Sequence, residues 1–436
     1  MRRFLPTLAI CAIGSLTGHA QLVSLGPWAG AVTDSSAVVV VRMHQDRLST
    51  LEIADDRSFS HPISVPEMLP LEGQPPDVAR FAPQNLQPDT TYYYRVRAGN
   101  LRDQQMTGQL RTLPRAGQVA SFRFAVAGGA RTDSTSGAYS EIGYYDPRFL
   151  IQLGNLHSEA IAENDPVPHY VAYQRVLGSP NRAELLRKIP LIYTWGRIDY
   201  GLQADRESPS ARAVHLAYRH YMPHFPLAAD QEPDLAEVPA GQRPIAQSFD
   251  VGRVRFLLLD TRTARDPATD PNVRGKTLLG RWQLDWLRGE FERPLAGAPP
   301  AMFFILTASP WKPTPTPLID DWDNYARERD DIVQWLAQRY LTNVCVISAN
   351  GGVLAAQGGG GDSALPELQV GEINLTPAPT DDRWAIGPIM HETLEEFFGM
   401  VEVEDRQTSV HLNFIGYNQN GQERLRAALD IAVRDR

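Results

Sequence analysis

The chain has 436 residues, of which 43% are hydrophobic and 21% charged, and its formal net charge at pH 7 is −9. This length predicts two or three domains of about 100–200 residues each, and the negative charge argues against a nucleic-acid-binding surface. Beyond the N-terminus no apolar run is long enough to span a membrane, since "AMFFILTA" has only the length of a strand.

The first residues have the features of a secretory signal. Arg2 and Arg3 precede a long apolar stretch, and small residues follow it up to Ala20. We therefore expect residues 1–20 to be a signal peptide and the mature protein to be secreted or periplasmic. General secretion is favoured over twin-arginine export, because the arginine pair stands at the very start and Phe4 follows it without a spacer. Cleavage would leave one cysteine, so no internal disulfide is expected.

Residues 21–115 read as an all-β domain. The segment "TTYYYRVRAG" alternates polar and apolar positions and places Tyr92, Tyr94 and Val96 on one face of a strand. The spacing L-x-P-x-T-x-Y that ends at Tyr92 is similar to the tyrosine corner of fibronectin type III sandwiches. A fibronectin type III-like β-sandwich is therefore predicted, with an ordinary exposed strand pair as the alternative. "LPRAGQVAS" then reads as a linker.

Residues 120–436 show a different pattern, in which short apolar runs end in small or polar residues and alternate with helical segments. The runs are "FRFAVAGG", "FLIQLGN", "PLIYTWG", "RFLLLDTR", "MFFILTAS" and "NVCVISANGG". This alternation predicts an α/β architecture of layered β-sheets with buried strands, flanked by helices. At the C-terminus, "FGMVEVED" and "SVHLNFIGYNQNGQE" predict two β segments and "ERLRAALDIAVR" a closing helix. Cys345, in "NVCVIS", is predicted to be a buried strand residue.

Several of these runs are followed by loops with polar residues. Ligands in α/β proteins bind at the carboxyl ends of strands, so these loops carry the candidate functional residues. The loops are Gly128-Gly129, Gly154-Asn155-Leu156-His157-Ser158-Glu159, Trp195-Gly196-Arg197-Ile198-Asp199 and Ser348-Ala349-Asn350-Gly351-Gly352.

In order and spacing these loops resemble those of the alkaline phosphatase D (PhoD-like) family of metallophosphoesterases. In that family the last three loops typically read G-D-L-H-Y-E, W-D-D-H-D-Y-G and S-G-D-x-H. Flanking segments such as "YGLQADRESPS", "FDVGRVRFLLLDTR" and "KTLLGRWQLDWL" are also similar, so the resemblance covers nearly the whole mature chain. It implies a metallophosphoesterase fold behind an N-terminal sandwich, with two metal ions such as iron and calcium that act on phosphoesters.

The positions that correspond to the family's metal ligands carry other residue types in this chain. These degenerate positions are Asn155, Ser158, Gly196, Arg197, Ile198, Asn350 and Gly352. Two unit charges 4 Å apart repel by roughly 4 kcal/mol at an effective dielectric near 20, and paired dications by several times that. Arg197 adds a positive charge that cannot be removed by deprotonation. The sequence therefore predicts no metal cofactor and no confident catalytic residue.

The retained polar residues suggest that the loops bind an anion. The candidates are Asn155, His157, Arg197, Asp199, Arg262 and Asn350, which together could hold a phosphate, sulfate or carboxylate by charge-assisted hydrogen bonds. Two roles stay open for Arg262, a structural hydrogen-bond hub or a phosphate clamp. Asp199 could orient His157, pair with Arg197, or simply cap a turn beside a surface arginine.

Other residues offer weaker candidates for chemistry. His220 and His224 are four residues apart, but Pro223 between them should end a helix, so ligation of a metal there is not favoured. Ser134 and Ser136 follow the first α/β strand, where a turn and helix cap are the more common role. No G-x-S-x-G nucleophile motif is present.

The sequence thus predicts an exported, catalytically inactive pseudophosphatase with an anion-binding or interaction role. The alternative is an active phosphomonoesterase or phosphodiesterase with an atypical metal site built from Asp199, His157 and the two asparagines. A third possibility is a protein-binding or glycan-binding contact module that uses the N-terminal sandwich as its contact surface. The loops that carry Asp362, Asp381 and Asp382 could also supply replacement metal ligands.

Overall fold

A computed structural model describes residues 21–433 except 46–47, 202, 233–234, 236, 272–274, 313–320, 360–364, 374–383 and 391–394. The predicted signal peptide and the three loop aspartates, Asp362, Asp381 and Asp382, lie outside the described residues. Their predicted roles stay predictions.

The N-terminal segment forms eight strands in two sheets. The strands are β1 (Val23–Gly30), β2 (Val38–Met43), β3 (Thr50–Ala54), β4 (Ile63–Pro66), β5 (Val78–Phe81), β6 (Thr91–Ala98), β7 (Leu101–Arg102) and β8 (Gly108–Arg111). One sheet has the order β1-β2-β5, and the other has β4-β3-β6 with β7 and β8 both paired to β6. As the alternation predicts, Tyr92, Tyr94 and Val96 are buried. The Tyr92 hydroxyl accepts a 2.9 Å hydrogen bond from the backbone N–H of Gln87.

The sheet that contains β1 continues into the rest of the chain. Its further strands are β9 (Phe122–Ala127), β10 (Leu150–Leu153), β11 (Leu191–Thr194), β19 (Phe397–Asp405), β20 (Ser409–Asn418) and β21 (Glu423–Ala432). The nine strands run in the order β21-β20-β19-β9-β10-β11-β1-β2-β5, with β9, β10 and β11 parallel. Gly30 of β1 pairs with Leu191 of β11, so this sheet spans the predicted linker.

The last strand, β21, corrects the predicted C-terminal helix. In "ERLRAALDIA" the buried positions are Leu425, Ala427 and Ile431, which recur at even spacing, and the strand pairs antiparallel with β20. A period of two is the pattern of a strand with one face on the core. The good helix formers in this segment are overruled by that tertiary pairing.

The second sheet is formed by the later apolar runs. Its strands are β12 (Gln247–Val251), β13 (Val254–Leu258), β14 (Met302–Thr307), β15 (Val344–Ala349), β16 (Val353–Gly358), β17 (Pro366–Val370) and β18 (Ile386–Met390), in the order β12-β13-β14-β15-β17-β16-β18. The two sheets pack face to face, and the Phe124 ring of β9 lies 5.3 Å from Phe256 and 5.6 Å from Phe304. Cys345 is buried in β15, as predicted.

Helices cover the outer faces of both sheets. The α-helices of the described residues are α1 (Gly137–Tyr144), α2 (Pro166–Gly178), α3 (Pro180–Leu186), α4 (Arg197–Tyr200), α5 (Ala211–Tyr221), α6 (Gly280–Glu292) and α7 (Ala326–Gln338). Short 3₁₀ helices occupy Ala228–Asp230, Ala240–Gln242 and Trp322–Tyr325. The predicted α/β layering is confirmed, and helix α5 ends before Pro223 as expected. In the described part of the chain, no helix combines the length and the apolar character that a bilayer crossing would need.

Candidate functional site

The candidate site lies where the carboxyl ends of the parallel strands of both sheets meet. We call Gly129, Asn155, Gly196 and Asn350 the strand-end cluster. Gly129 follows β9, Asn155 follows β10, Gly196 follows β11 and Asn350 follows β15. The first three belong to loops of the nine-stranded sheet and Asn350 to a loop of the other, so the cluster lies between the two sheets.

Asn350 links the two sheets through its side-chain amide. Its Oδ1 accepts hydrogen bonds from the Gly129 backbone N–H at 3.0 Å and from Asn155 Nδ2 at 3.2 Å. Its Nδ2 donates to the carbonyl oxygens of Leu153 at 2.8 Å and Ala308 at 2.6 Å. An amide has two acceptor lone pairs and two N–H donors, so all four positions are occupied by protein groups.

Asn155 is held in the same network. Its Oδ1 accepts from the backbone N–H of Ile198 at 3.0 Å, and its carbonyl accepts from Ala130 N–H at 2.8 Å. The backbone φ angles of Asn155 and Asn350 are +48° and +65°, a left-handed conformation that asparagine tolerates better than most residues. The two asparagines therefore suit these tight loops by conformation as well as by hydrogen bonding.

Gly196 allows the loop after β11 to approach Asn155. A Cβ atom at position 196 would lie 2.5 Å from Asn155 Oδ1 and 2.6 Å from Asn155 N. The second of these atoms is backbone and cannot swing away. A side chain at this position is therefore incompatible with the present place of Asn155.

Asp199 and His157 lie behind the cluster, and both are fully buried. Asp199 Oδ2 accepts from the Gly196 N–H at 2.8 Å, and its Oδ1 accepts from the His157 backbone N–H at 3.3 Å. The His157 Nε2 lies 3.8 Å from Asp199 Oδ1. Burial lowers the pKa of His157, and the neighbouring Asp199 opposes this shift. Asp199 thus braces two loops and contacts His157, while no ion pair joins it to Arg197.

Arg197, in contrast, points its charge toward solvent. It opens the single turn α4, is exposed, and makes no hydrogen bond or ion pair with another described residue. Ser158 is also exposed, and its Oγ accepts from the Thr132 N–H at 3.2 Å. Among the described residues of these loops, Arg197 and Ser158 therefore expose a cation and a hydroxyl beside the strand-end cluster.

The two remaining predicted site residues, Arg262 and Gly352, lie in loops of the seven-stranded sheet. Arg262 is buried, and its Nη2 donates to Ser309 Oγ at 3.2 Å, next to the Ala308 carbonyl that Asn350 binds. Gly352 is buried ahead of β16. Arg262 therefore contacts the loop after β14, and both of its predicted roles stay predictions.

The candidates outside these loops have separate partners. His220 Nδ1 lies 2.8 Å from the Tyr170 hydroxyl, and His224 Nδ1 lies 2.8 Å from the Phe225 carbonyl. The Ser136 Oγ caps α1 by accepting from Ala138 N–H at 3.0 Å. Within the described ranges, no three His, Cys, Asp or Glu side chains are grouped so that they could hold a metal ion.

Sequence reasoning missed a buried carboxyl group beneath the cluster. Glu367 of β17 accepts from Ser348 Oγ at 2.5 Å and from the Trp311 N–H at 3.2 Å through Oε1. Burial raises its pKa to about 7. Ser348 lies two residues before Asn350, so Glu367 supports the strand that carries the cluster. The signal for it was a single acidic residue in the otherwise strand-like "PELQV".

Comparisons with known proteins agree with the predicted resemblance. Residues 195–357 match the family model of PhoD-like phosphatases. An alkaline phosphatase D of Bacillus subtilis (strain 168) is 23% identical over 308 residues, which cover 61% of this chain and 51% of that protein. The chain therefore spans about half the length of this curated relative.

A solved structure of PhoD is similar over almost the whole chain. It superimposes with a TM-score of 0.74 at 17% identity and covers 93% of this chain and 92% of that one. At this identity the likeness shows the fold. The resemblance of this chain to the PhoD-like phosphatases is confirmed.

Proposed function

We propose that this chain is a PhoD-like protein that does not hydrolyse phosphoesters through a metal centre and that binds a small anion at the strand-end cluster. The observation that carries the proposal is the Asn350 amide, whose four hydrogen-bonding positions are all used by protein groups. An oxygen that already accepts two N–H bonds has no lone pair to offer a cation.

The other groups at the cluster also fit a metal poorly. Both carboxylate oxygens of Asp199 accept backbone N–H bonds, and Asn155 Oδ1 accepts one from Ile198. A hard cation requires several oxygen ligands, and tight binding requires that some of these oxygens are negatively charged. To bind a cation, these loops would have to break several of these hydrogen bonds. The positive charge of Arg197, the residue after Gly196, would also repel the cation. The side chains present do not fit a dinuclear metal centre, so we derive no hydrolytic step.

The anion-binding part of the proposal depends on Arg197. Its exposed guanidinium has no ion-pair partner among the described residues. Arginine binds phosphate, sulfate and carboxylate groups by paired charge-assisted hydrogen bonds. The exposed Ser158 hydroxyl and the half-buried Asn155 amide are polar groups of the same loops. His157 and Asp199 would act by holding the loop that carries Arg197.

Metal content and turnover of the purified protein test this proposal together. We expect less than stoichiometric metal, and no turnover of an aryl phosphate or a bis-aryl phosphodiester with added Ca²⁺, Fe³⁺, Mn²⁺ or Zn²⁺. Stoichiometric metal with turnover that Asp199→Ala abolishes in a folded variant would contradict it. Arg197→Gln serves as the control, because it changes the same loop without removing a possible ligand.

The second candidate function is a phosphoesterase with one metal ion, held by Asp199, His157 and the asparagine oxygens. It is favoured by the match of residues 195–357 to the PhoD-like phosphatase model. The same experiment decides between the two, since only this candidate predicts bound metal and metal-dependent turnover.

The proposal also includes a secreted or periplasmic location, taken from the leader sequence, and a fibronectin type III-like fold for the N-terminal sheets. Support for that fold comes from the two facing sheets and from the Tyr92 hydrogen bond to Gln87. As a contact module this segment would retain a partner by itself. Failure of residues 21–115 to retain any protein in a pull-down would count against that role.

A further inference from the structure

A groove lies between the five-stranded N-terminal sheet and the end of helix α3. Two adjoining cavities of about 650 and 470 Å³ share Arg57, Tyr93, Gln109 and Lys188 in their walls. We call these two cavities the junction groove. Tyr93 and Gln109 face each other on the paired strands β6 and β8, and the Gln109 N–H donates to the Arg187 carbonyl at 2.7 Å. That backbone bond fixes one wall of the groove to the other.

The groove is strongly basic in a chain whose net charge is −9. Seven arginine and lysine residues line it, against three carboxylates. Part of this charge is paired, because Asp89 binds both Arg111 at 3.0 Å and Arg148 at 2.6 Å. No carboxylate of the described chain lies within ion-pair distance of Arg57, Arg123 or Arg187, so three guanidinium groups are left for an anionic ligand.

Aromatic and amide side chains accompany these charges. The Arg57 guanidinium lies 5.1 Å from the centre of the Tyr93 ring, and that of Arg95 lies 4.0 Å from the Phe59 ring. The amide side chains of Gln104, Gln105 and Gln109 also line the cavity. Guanidinium groups bind carboxylate and sulfate, amides bind hydroxyl groups, and aromatic rings pack on apolar faces.

From this combination we infer that the junction groove binds an acidic polysaccharide. A sugar chain supplies hydroxyl groups for the glutamines and ring faces for Tyr93, and its uronate or sulfate groups would pair with Arg57, Arg123 and Arg187. The two adjoining cavities, of about 650 and 470 Å³, have room for several linked sugar units, which is more space than one small anion needs.

The junction groove is separate from the strand-end cluster. Arg123 lies at the start of β9, whereas Gly129 lies two residues past its end at Ala127. At about 3.3 Å per residue the two positions are roughly 20 Å apart. The inference therefore holds whether or not the strand-end cluster binds an anion.

The test compares two triple variants of the full chain that change the net charge equally. Arg57→Gln with Arg123→Gln and Arg187→Gln removes the three unpaired cations. The control, Arg281→Gln with Arg288→Gln and Arg406→Gln, removes three exposed cations elsewhere. Binding of dextran sulfate, polygalacturonate and neutral dextran is measured at several salt concentrations. Thermal unfolding of each variant verifies that it is folded.

We expect the wild type and the control variant to bind one or both acidic polymers and not neutral dextran. The groove variant should bind at least about tenfold more weakly, with a salt dependence reduced by about three released ions. A Lys variant at the same three positions should retain most of the binding, which separates charge from folding. Equal binding by the groove and control variants would overturn the inference. Tighter binding of single-stranded DNA or anionic lipid vesicles than of either acidic polymer would also overturn it.

Discussion

The strand-end cluster and the junction groove both carry polar groups, but they differ in how those groups are bonded. Protein groups engage the polar atoms at the cluster, whereas three arginines of the groove have no carboxylate partner in the described chain. At the cluster, the Asn350 amide and the Asp199 carboxylate are fully engaged by neighbouring protein groups. In the groove, Arg57, Arg123 and Arg187 have no carboxylate partner within the described chain. The amide and carboxylate groups at the usual place for chemistry therefore hold the loops together, and Arg197 is the cation beside them that has no partner among the described residues.

The choice of asparagine explains this difference. A carboxylate offers only acceptors, which suits cations, whereas an amide offers both acceptors and donors. Asn350 needs both, because it accepts from Gly129 and donates to Leu153 and Ala308. The Asn350 amide therefore links loops of the two sheets through its own acceptor and donor groups.

The largest effect is expected from removal of that amide. Asn350→Ala leaves three backbone groups without their partner and puts alanine at a φ of +65°. We expect a loss of about 3–4 kcal/mol in the free energy of unfolding, measured with denaturant. Asn420→Ala, at an exposed turn, is the matched control and should cost far less. A loss of less than about 1 kcal/mol for Asn350→Ala would mean that water replaces the amide easily.

A second variant tests whether the cluster can be returned to the family's pattern. Gly196→Asp restores an acidic residue, but its Cβ would collide with Asn155 N, which lies 2.6 Å away. We expect a loss of about 2–3 kcal/mol in stability from this overpacking, and no gain of bound metal. Gly196→Ala should show nearly the same loss, because the clash begins at Cβ. A stable Gly196→Asp variant that binds metal would show that the cluster can still open.

The strand-end cluster and strand β21 show what the sequence could and could not predict. The strand ends were recognisable from apolar runs that stop at Gly128, Gly154 and Trp195, because such runs report only local burial. The Asn155–Asn350 bond joins residues 195 positions apart, and nothing local to either residue indicates it. The wrong helix at β21 has the same origin, since Leu425 and Ile431 are good residues for either structure until β20 pairs with them.

Arg197 and Asp199 show the same limit at shorter range. They are two residues apart in one helical turn, yet one is exposed and the other fully buried. Charge alone suggested that they could pair. Their separation follows from the Gly196 and His157 N–H groups, which take the carboxylate of Asp199 into the interior.

The third prediction concerns how stability depends on pH through Glu367, which lies beneath the strand-end cluster. The pKa of Glu367 is raised from 4.5 to about 7 by burial, so the folded chain keeps this proton while the unfolded chain loses it between those values. The contribution of Glu367 to the free energy of unfolding is therefore largest below pH 4.5, and it falls as the pH rises to about 7. Glu367→Gln removes the ionisation and keeps an oxygen for Ser348 and Trp311.

We expect Glu367→Gln to be more stable than the wild type by about 3 kcal/mol at pH 8, with little difference at pH 4. Urea unfolding at both pH values measures this difference. Glu292→Gln, an exposed residue of α6 that pairs with Arg339, is the control and should not reproduce the trend. A constant difference between wild type and Glu367→Gln from pH 4 to pH 8 would contradict the burial argument.

The smallest effect on stability is expected at Arg197, the cation that is proposed to bind the anion beside the strand-end cluster. Arg197→Gln changes an exposed side chain that forms no hydrogen bond or ion pair with a described residue, so stability should change by less than about 0.5 kcal/mol. Phosphate binding, measured by titration calorimetry, should weaken by about tenfold because a charge-assisted hydrogen bond is lost. Arg281→Gln removes an exposed charge on α6 and should leave binding unchanged. Equal phosphate binding by wild type and Arg197→Gln, or none by the wild type, would leave the strand-end cluster with a purely structural role.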